Sequence, residues 1–310
     1  MMAKSSQKID VNTLAGFGAI LLWSTTIAFA RSLSEQIGPL TAAASVYLIG
    51  GFFCFLRFLR RGNPLHEIRT LSLRYLFGCG FLFVLYMLVI YLAVGMADHR
   101  QQVLEVGLMN YLWPTLTLVF SLFLLNKRAG WMFLPGTFLA LVGIFLVIGQ
   151  EASISWSSFS DNFTRNPIAY SLGLTAAVSW ALYSNLTRRW AGNSGGGVEI
   201  FIPATGVILL ALRLFSPENG SWTVQAVIEA CFLGFVTLIA YFLWDRAMRK
   251  GNVVLVAAFS YLTPLFSTLL SCFYLGITTS ISLWAGCVLM VAGSILSWIS
   301  ISERKASKSF

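Results

Sequence analysis

Apolar residues run almost unbroken along this chain, and polar ones gather into short clusters between the runs. Ten runs approach twenty residues, near 13–33, 40–59, 74–95, 103–125, 131–149, 168–187, 198–214, 225–245, 253–275 and 281–301. At a rise of about 1.5 Å per residue, each is long enough to cross a hydrocarbon core of about 30 Å. Only helices and closed barrels satisfy their backbone polar groups in lipid, and runs of this length predict helices. The pattern therefore predicts an all-α integral membrane protein with ten transmembrane helices. The run at 198–214 contains Pro203 and predicts the least regular of them.

Composition agrees: 57% of residues are apolar, 11% are charged and the mean hydropathy is +0.77, which excludes a soluble domain. The first run shows no small-residue cleavage pattern, so it reads as a retained span rather than a removable signal. A formal net charge of +9 raises the question of nucleic acid. The lysines and arginines are split among short alternate loops, however, with no continuous basic patch, and a nucleic-acid partner is excluded. Loops and tails on one side collect Lys4, Lys8, Arg57, Arg60, Arg61, Arg69, Arg74, Lys127, Arg128, Arg188, Arg189, Arg246, Arg249, Lys250, Arg304, Lys305 and Lys308. The other side keeps Arg31, Arg100, Arg165 and Arg213, an asymmetry that places both termini in the cytoplasm. The five cysteines, Cys54, Cys79, Cys231, Cys272 and Cys287, all lie inside apolar runs without a CxxC pair. With His66 and His99 as the two histidines, both in loops, neither a metal site nor a Ser-His-Asp enzyme is expected, and no cofactor is implied.

The chain also repeats itself. Residues 91–149 laid over 241–299 without a gap match at Tyr91/Tyr241, Ala97/Ala247, Val103/Val253, Tyr111/Tyr261, Leu112/Leu262, Pro114/Pro264, Ser121/Ser271, Gly136/Gly286 and Gly143/Gly293. Gly16, Ala19 and Trp23 match Gly173, Ala176 and Trp180 at a slightly different offset. Two halves of five spans follow, 1–150 and 151–310. Five is odd, so the second half enters the membrane from the opposite face and the repeat is inverted. Inverted repeats of this kind place a substrate cavity where the halves meet, near the midplane.

Pro114 and Pro264 fall mid-run in the two halves. Each lacks an N–H and crowds the carbonyl four residues back, which predicts hinges that free the carbonyls of Asn110 and Ser260. At helical spacing Asn110, Trp113, Pro114, Thr117 and Ser121 share one stripe, and Ser260, Thr263, Pro264, Ser267 and Ser271 share its counterpart. Trp23, Trp113 and Trp180 lie near the centres of their runs, whereas Trp131, Trp190 and Trp298 suit the interfacial belts. Tyr86, Tyr111, Tyr183 and Tyr241 add aromatic surface at similar depths. Rings beside Asn, Ser and Thr suit an amphipathic zwitterion, with hydroxyls for its carboxylate and carbonyls and ring faces for its ammonium. The substrate-binding set expected from the sequence is therefore Trp23, Tyr86, Asn110, Tyr111, Trp113, Trp180, Tyr183, Tyr241, Ser260 and Thr263. Gly136, Ala140 and Gly143 against Gly286 and Gly293 predict a packing seam.

These features resemble the drug/metabolite transporter superfamily and its EamA-type ten-helix branch. The resemblance covers nearly the whole chain and rests on the duplicated five-span unit, the first-span tryptophans and the Tyr-x-x-Pro run ahead of a glycine-studded fifth helix. Within the branch, the WPTLT run and LLWSTTIAFAR are similar to inner-membrane exporters of aromatic and other amino acids. The resemblance implies a small-molecule substrate, neutral or aromatic amino acids, moved across a lipid membrane by alternating access. The chain departs from the branch where a glutamate often closes the fourth span, since LFLLNKRAG and CFYLGITTS hold no carboxylate.

Intramembrane ionisable groups are the usual ion pathways. Glu105 lies about a turn inside the fourth span, and Asp245 and Arg246 end the eighth. Both positions read as close to water, so facilitated transport is the expectation. A proton-coupled exporter of drugs or other amphipathic metabolites, with Glu105 as the coupling group, is the alternative. Central lysines or arginines that would meet a phosphate are lacking, which disfavours nucleotide sugars. Nothing in the pattern requires more than one copy of the chain.

Overall fold

In the computed structural model, residues 10–60, 68–152, 156–192, 196–267, 269 and 281–303 are described, and they are almost wholly helical. The sequence expectations for His66, Ser271, Cys272 and the tail lysines lie outside these residues, as does the end of the ninth run.

In chain order come α1 (Val11–Ile37), α2 (Pro39–Arg60), a π-helical turn (Arg74–Cys79) leading into α3 (Gly80–Gly95), α4 (Arg100–Asn110) and α5 (Trp113–Leu124). The strand β1 (Lys127–Ala129) follows, then α6 (Phe133–Ala152), α7 (Trp156–Arg165), α8 (Pro167–Trp190), α9 (Val198–Phe215), α10 (Val224–Lys250) and α11 (Val253–Phe259). A 3₁₀ turn (Ser260–Leu262) continues into helix at 263–267, and α12 (Ile281–Ser300) and β2 (Ile301–Glu303) close the chain. Starts are written locally. Asp10, Asn166, Thr223 and Asn252 cap α1, α8, α10 and α11 by accepting the backbone N–H groups of Thr13, Ala169, Ala226 and Leu255.

Among the described residues, six helices are long and apolar enough to cross a membrane, at Pro39–Arg57, Arg74–Gly95, Gln101–Leu124, Val198–Phe215, Val224–Lys250 and Leu283–Ser300, and Phe133–Ile148 and Val253–Ser267 are shorter apolar helices. The helices α1 and α8 are equally long but carry more Ser, Thr and Asn. Half of α8 is buried against neighbours, so it needs less apolar surface for lipid. Pro203 does not break α9; it packs on Gly51, where an added Cβ would lie 2.9 Å from the proline ring.

Packing runs across the middle of the chain. The helix α1 lies along α10, α3 along α8, α2 against α9 and α6 against α12. A Cβ on Gly16 of α1 would lie 2.6 Å from Val256 Cγ1 of α11, and one on Gly173 of α8 would lie 2.9 Å from the Val106 carbonyl of α4. Val106 and Val256 are themselves 150 positions apart. The glycine seam expected between the last spans is present. A Cβ on Gly143 would lie 2.7 Å from the Gly286 carbonyl, and one on Gly293 would collide with the Ala140 backbone nitrogen. Gly293→Val is accordingly expected to abolish the folded protein, seen as loss of the monodisperse peak in detergent size-exclusion chromatography, because neither backbone can yield to the added methyls. Beside this seam, β1 and β2 pair antiparallel with Lys127 opposite Glu303.

Two expectations are corrected. The prolines do not sit inside continuous helices: α4 stops at Asn110, Tyr111 and Leu112 form a turn, and Pro114 occupies the first turn of α5, where its missing N–H is not needed. Pro264 likewise follows the 3₁₀ turn. The stretch after 152, read as a loop, contains the amphipathic helix α7.

Candidate functional site

Trp180, near the middle of α8 and 2% exposed, is the hub of an aromatic cluster. Its ring centroid lies 4.9 Å from Tyr86, 5.0 Å from Tyr183, 5.6 Å from Trp23, 5.8 Å from Tyr241, 5.8 Å from Trp244, 6.1 Å from Phe83 and 6.5 Å from Trp113. Trp23 packs on Trp244 at 5.1 Å and Trp113 packs on Trp244 at 5.4 Å. Such distances and the prevailing tilted or edge-on geometries are those that aromatic quadrupoles favour. First-half rings (Trp23, Phe83, Tyr86, Trp113) and second-half rings (Trp180, Tyr183, Tyr241, Trp244) thus meet at one place.

Of the expected set, Trp23, Tyr86, Trp113, Trp180, Tyr183 and Tyr241 are brought together. Asn110, at the end of α4, lies beside the Tyr86 hydroxyl, and its Oδ1 is buried without a hydrogen-bond partner. Tyr111 is not part of this cluster; it packs on a second core formed by α6, α11 and α12. The hydroxyls of Ser260 and Thr263 are occupied, donating to the carbonyls of Val256 and Ser260 at 2.8 Å each. The Ser260 carbonyl, expected to be free, is therefore taken by Thr263. The two broken helices touch through Thr115 and Tyr261, whose hydroxyl oxygens are 2.9 Å apart. Ser24 of α1 donates to the Thr263 carbonyl at 3.3 Å, and Asn185 of α8 donates to the Thr117 carbonyl at 3.0 Å. Polar side chains from α1 and α8 thus hold the backbone just beyond each break.

Trp244, Phe83 and Tyr47 escaped the sequence reading. Trp244 stands three residues after Tyr241 and Phe83 three before Tyr86, so helical spacing alone brings them to the same faces. Tyr47 of α2 shares a hydrogen bond with Tyr241, oxygen to oxygen 2.8 Å, and donates to Met87 Sδ.

Charge sits at both ends of the cluster. Toward the chain termini, Asp245 is 1% exposed and accepts from the Tyr75 hydroxyl at 2.6 Å and from Arg249 Nε at 2.7 Å. The Gly197 N–H donates to the Tyr75 oxygen at 3.0 Å, which ties the π-helical turn to the start of α9. Arg246, the neighbour named from sequence, instead donates to Asn12. At the opposite end Glu105 is wholly buried, not near water as expected. It accepts from Gln101 Nε2 at 3.1 Å, from Asn162 Nδ2 at 3.1 Å and from the Tyr170 hydroxyl. The cover comes from α7, which supplies Asn162 and whose Phe159 and Phe163 pack edge-on against Tyr170. A carboxylate surrounded by neutral donors in this way reads first as an anchor between α4, α7 and α8.

Comparison with known proteins fits this architecture. The sequence model of the EamA-like transporter family matches residues 12–149 and again 167–299. The chain is 34% identical to the aromatic amino acid exporter YddG of Salmonella typhimurium (strain 14028s / SGSC 2262), covering 94% of this chain and 98% of that protein. It is 33% identical to the YddG of Escherichia coli (strain K12), covering 93% and 96%, and 32% identical to that of Ancylobacter novellus, covering 91% and 95%. A solved crystal structure superposes with a TM-score of 0.77 at 29% identity, covering 95% of this chain and 99% of the other. These relatives are transporters and not enzymes. With its apolar helices, its duplicated family match and this likeness over nearly its full length, the chain is a multi-pass membrane protein that belongs to the EamA-like transporter family.

Proposed function

We propose that this protein exports amino acids, aromatic and other neutral ones, across the cytoplasmic membrane by alternating access without proton coupling. The observation that carries the reading is the convergence of rings from both halves on Trp180, a surface suited to an apolar or aromatic side chain. The three relatives that match at 32–34% identity are named aromatic amino acid exporters.

Ten spans in two inverted halves underlie the mechanism. Several features support that arrangement: the family model matches twice, and exchanging the halves carries the α1·α10 contact onto α8·α3 while returning α2·α9 and α6·α12 to themselves. The Gly16–Val256 and Gly173–Val106 contacts exchange in the same way. The breaks at Tyr111–Leu112 and Ser260–Leu262 are the flexible points about which the halves rock, with Pro114 and Pro264 keeping each second segment from fusing with the first. Both termini then lie in the cytoplasm, where the basic loops collect. Among the described residues no central charge is available for driving transport against a gradient: Asp245 is paired with Arg249, and Glu105 and Glu229 are each engaged by three side chains. The direction of flux therefore follows the substrate gradient.

The test is uptake into proteoliposomes of purified protein, with labelled phenylalanine, threonine, a nucleotide sugar and a lipophilic cation in parallel, with and without an imposed pH gradient. Saturable phenylalanine and threonine entry that ignores the pH gradient is expected. Gradient-dependent cation flux without amino-acid flux would replace this reading by proton-coupled drug export through Glu105.

A further inference from the structure

Many of the hydroxyl hydrogens around Trp180 are consumed inside the protein. Ser24 donates to Ile20 and Thr263, Thr117 to Trp113, Ser184 to Trp180, and Ser260 and Thr263 to carbonyls of their own segment. The Tyr47 and Tyr241 hydroxyls share one hydrogen bond and contact Met87 Sδ. None of these groups is at liberty to receive a substrate carboxylate, which the sequence had assigned to hydroxyls.

The Trp244 indole is different. Its ring is fully buried and stacks on Trp180 with an interplanar angle of 29°, yet its Nε1–H has no acceptor. An unmet N–H away from water is costly, and phenylalanine would supply much of the same ring contact without that cost. An indole nitrogen only donates, so its missing partner must be an acceptor: it can hold a carboxylate and cannot hold an ammonium. Asp245, the next residue, is committed to Tyr75 and Arg249.

A complementary group lies on the other half. The Asn110 Oδ1 is buried and unpaired, and Asn110 adjoins Tyr86, which also packs on Trp180. An amide oxygen only accepts, the reverse of the indole. Two further unpaired atoms, Asn185 Oδ1 and Thr187 Oγ1, sit one to two turns along α8 from Trp180 toward the chain termini.

We propose that Trp244 Nε1–H receives the carboxylate of the transported amino acid and Asn110 Oδ1 its ammonium, with the substrate side chain among the rings around Trp180. The assignment rests on the amino-acid export reading and adds to it a basis for selecting zwitterions over amines. It also places the donor in the second half and the acceptor in the first, so a substrate with both groups links the halves while one lacking either does not.

The experiment measures phenylalanine uptake in proteoliposomes with 3-phenylpropionate, phenethylamine and phenylalaninamide as competitors, for the wild type and Trp244→Phe. In the wild type, compounds lacking the free carboxylate are expected to compete far more weakly than unlabelled phenylalanine. Trp244→Phe should raise the half-saturation concentration for phenylalanine by on the order of 10-fold or more, the loss expected when a charged acceptor loses its donor, and leave inhibition by phenethylamine unchanged. Phenylalanine uptake with an unchanged half-saturation in Trp244→Phe would overturn this assignment while leaving amino-acid export intact. Phenethylamine competing as well as phenylalanine would do the same, and that comparison needs only the wild type should the variant fail to fold. A wild type that carries no amino acid overturns both readings.

Discussion

Trp180→Ala is expected to reduce phenylalanine uptake to the level of empty liposomes and to destabilise the fold. The side chain contacts seven other rings and is 2% exposed, so its removal leaves a cavity lined by rings that cannot all collapse inward. Deletion of a buried tryptophan costs about 3–5 kcal/mol. Loss of a substrate contact by itself would abolish transport with folding retained; the packing predicts both losses together. Trp180→Phe separates them, because it fills much of the space: a folded protein with a raised half-saturation concentration is expected. Trp131→Ala, at an 80% exposed ring, should change neither uptake nor thermal midpoint. Wild-type uptake by Trp180→Ala would show that the ring cluster is not where substrate binds.

The second large effect concerns the buried pair below the cluster. Asp245→Ala removes the carboxylate that meets Tyr75 and Arg249, leaving a guanidinium whose side chain is 12% exposed without its counter-charge. Breaking one partner of a buried pair costs about 3–5 kcal/mol, whereas replacing both by apolar groups is often neutral. The thermal midpoint of detergent-solubilised protein should therefore fall most for Asp245→Ala, less for Asp245→Asn, which can still accept from Tyr75, and should recover in Asp245→Ala/Arg249→Met. Equal midpoints for the two single variants and the double would show that the pair contributes nothing to the folded state.

How much of this was legible depends on the kind of signal. Helix positions follow from apolar runs and caps, and the Gly143–Gly286 approach from the spacing of small residues, since both are properties of neighbouring positions. The central placement of Trp23, Trp113 and Trp180 was readable because tryptophan mid-run departs from its usual interfacial depth. The helix breaks were not, because an apolar run looks the same whether its backbone is continuous or interrupted, and the same proline suits a kink or a helix start. Trp244 was missed because the repeat pairs it with Val94, so comparing the halves says nothing about it. Asp245 and Arg249 stand at i and i+4, a spacing that favours an ion pair, but the sequence drew attention to the adjacent Arg246 instead. Glu105 was placed near water because the segment that covers it, α7, is too polar and short to register as a span.

The pairing of helices across the middle of the chain bears on how the protein is made. The partners of α1, α2 and α6 are α10, α9 and α12, so most of the first half emerges from the ribosome well before the surfaces it will pack against. Trp23 waits for Trp180 and Trp244, and Gly143 for Gly286. The boundary near residue 150 thus divides the sequence into two similar texts but not the molecule into two folding units. The aromatic centre can be completed only once α10 has been made and the glycine seam only once α12 has, so neither is within reach of the first half alone.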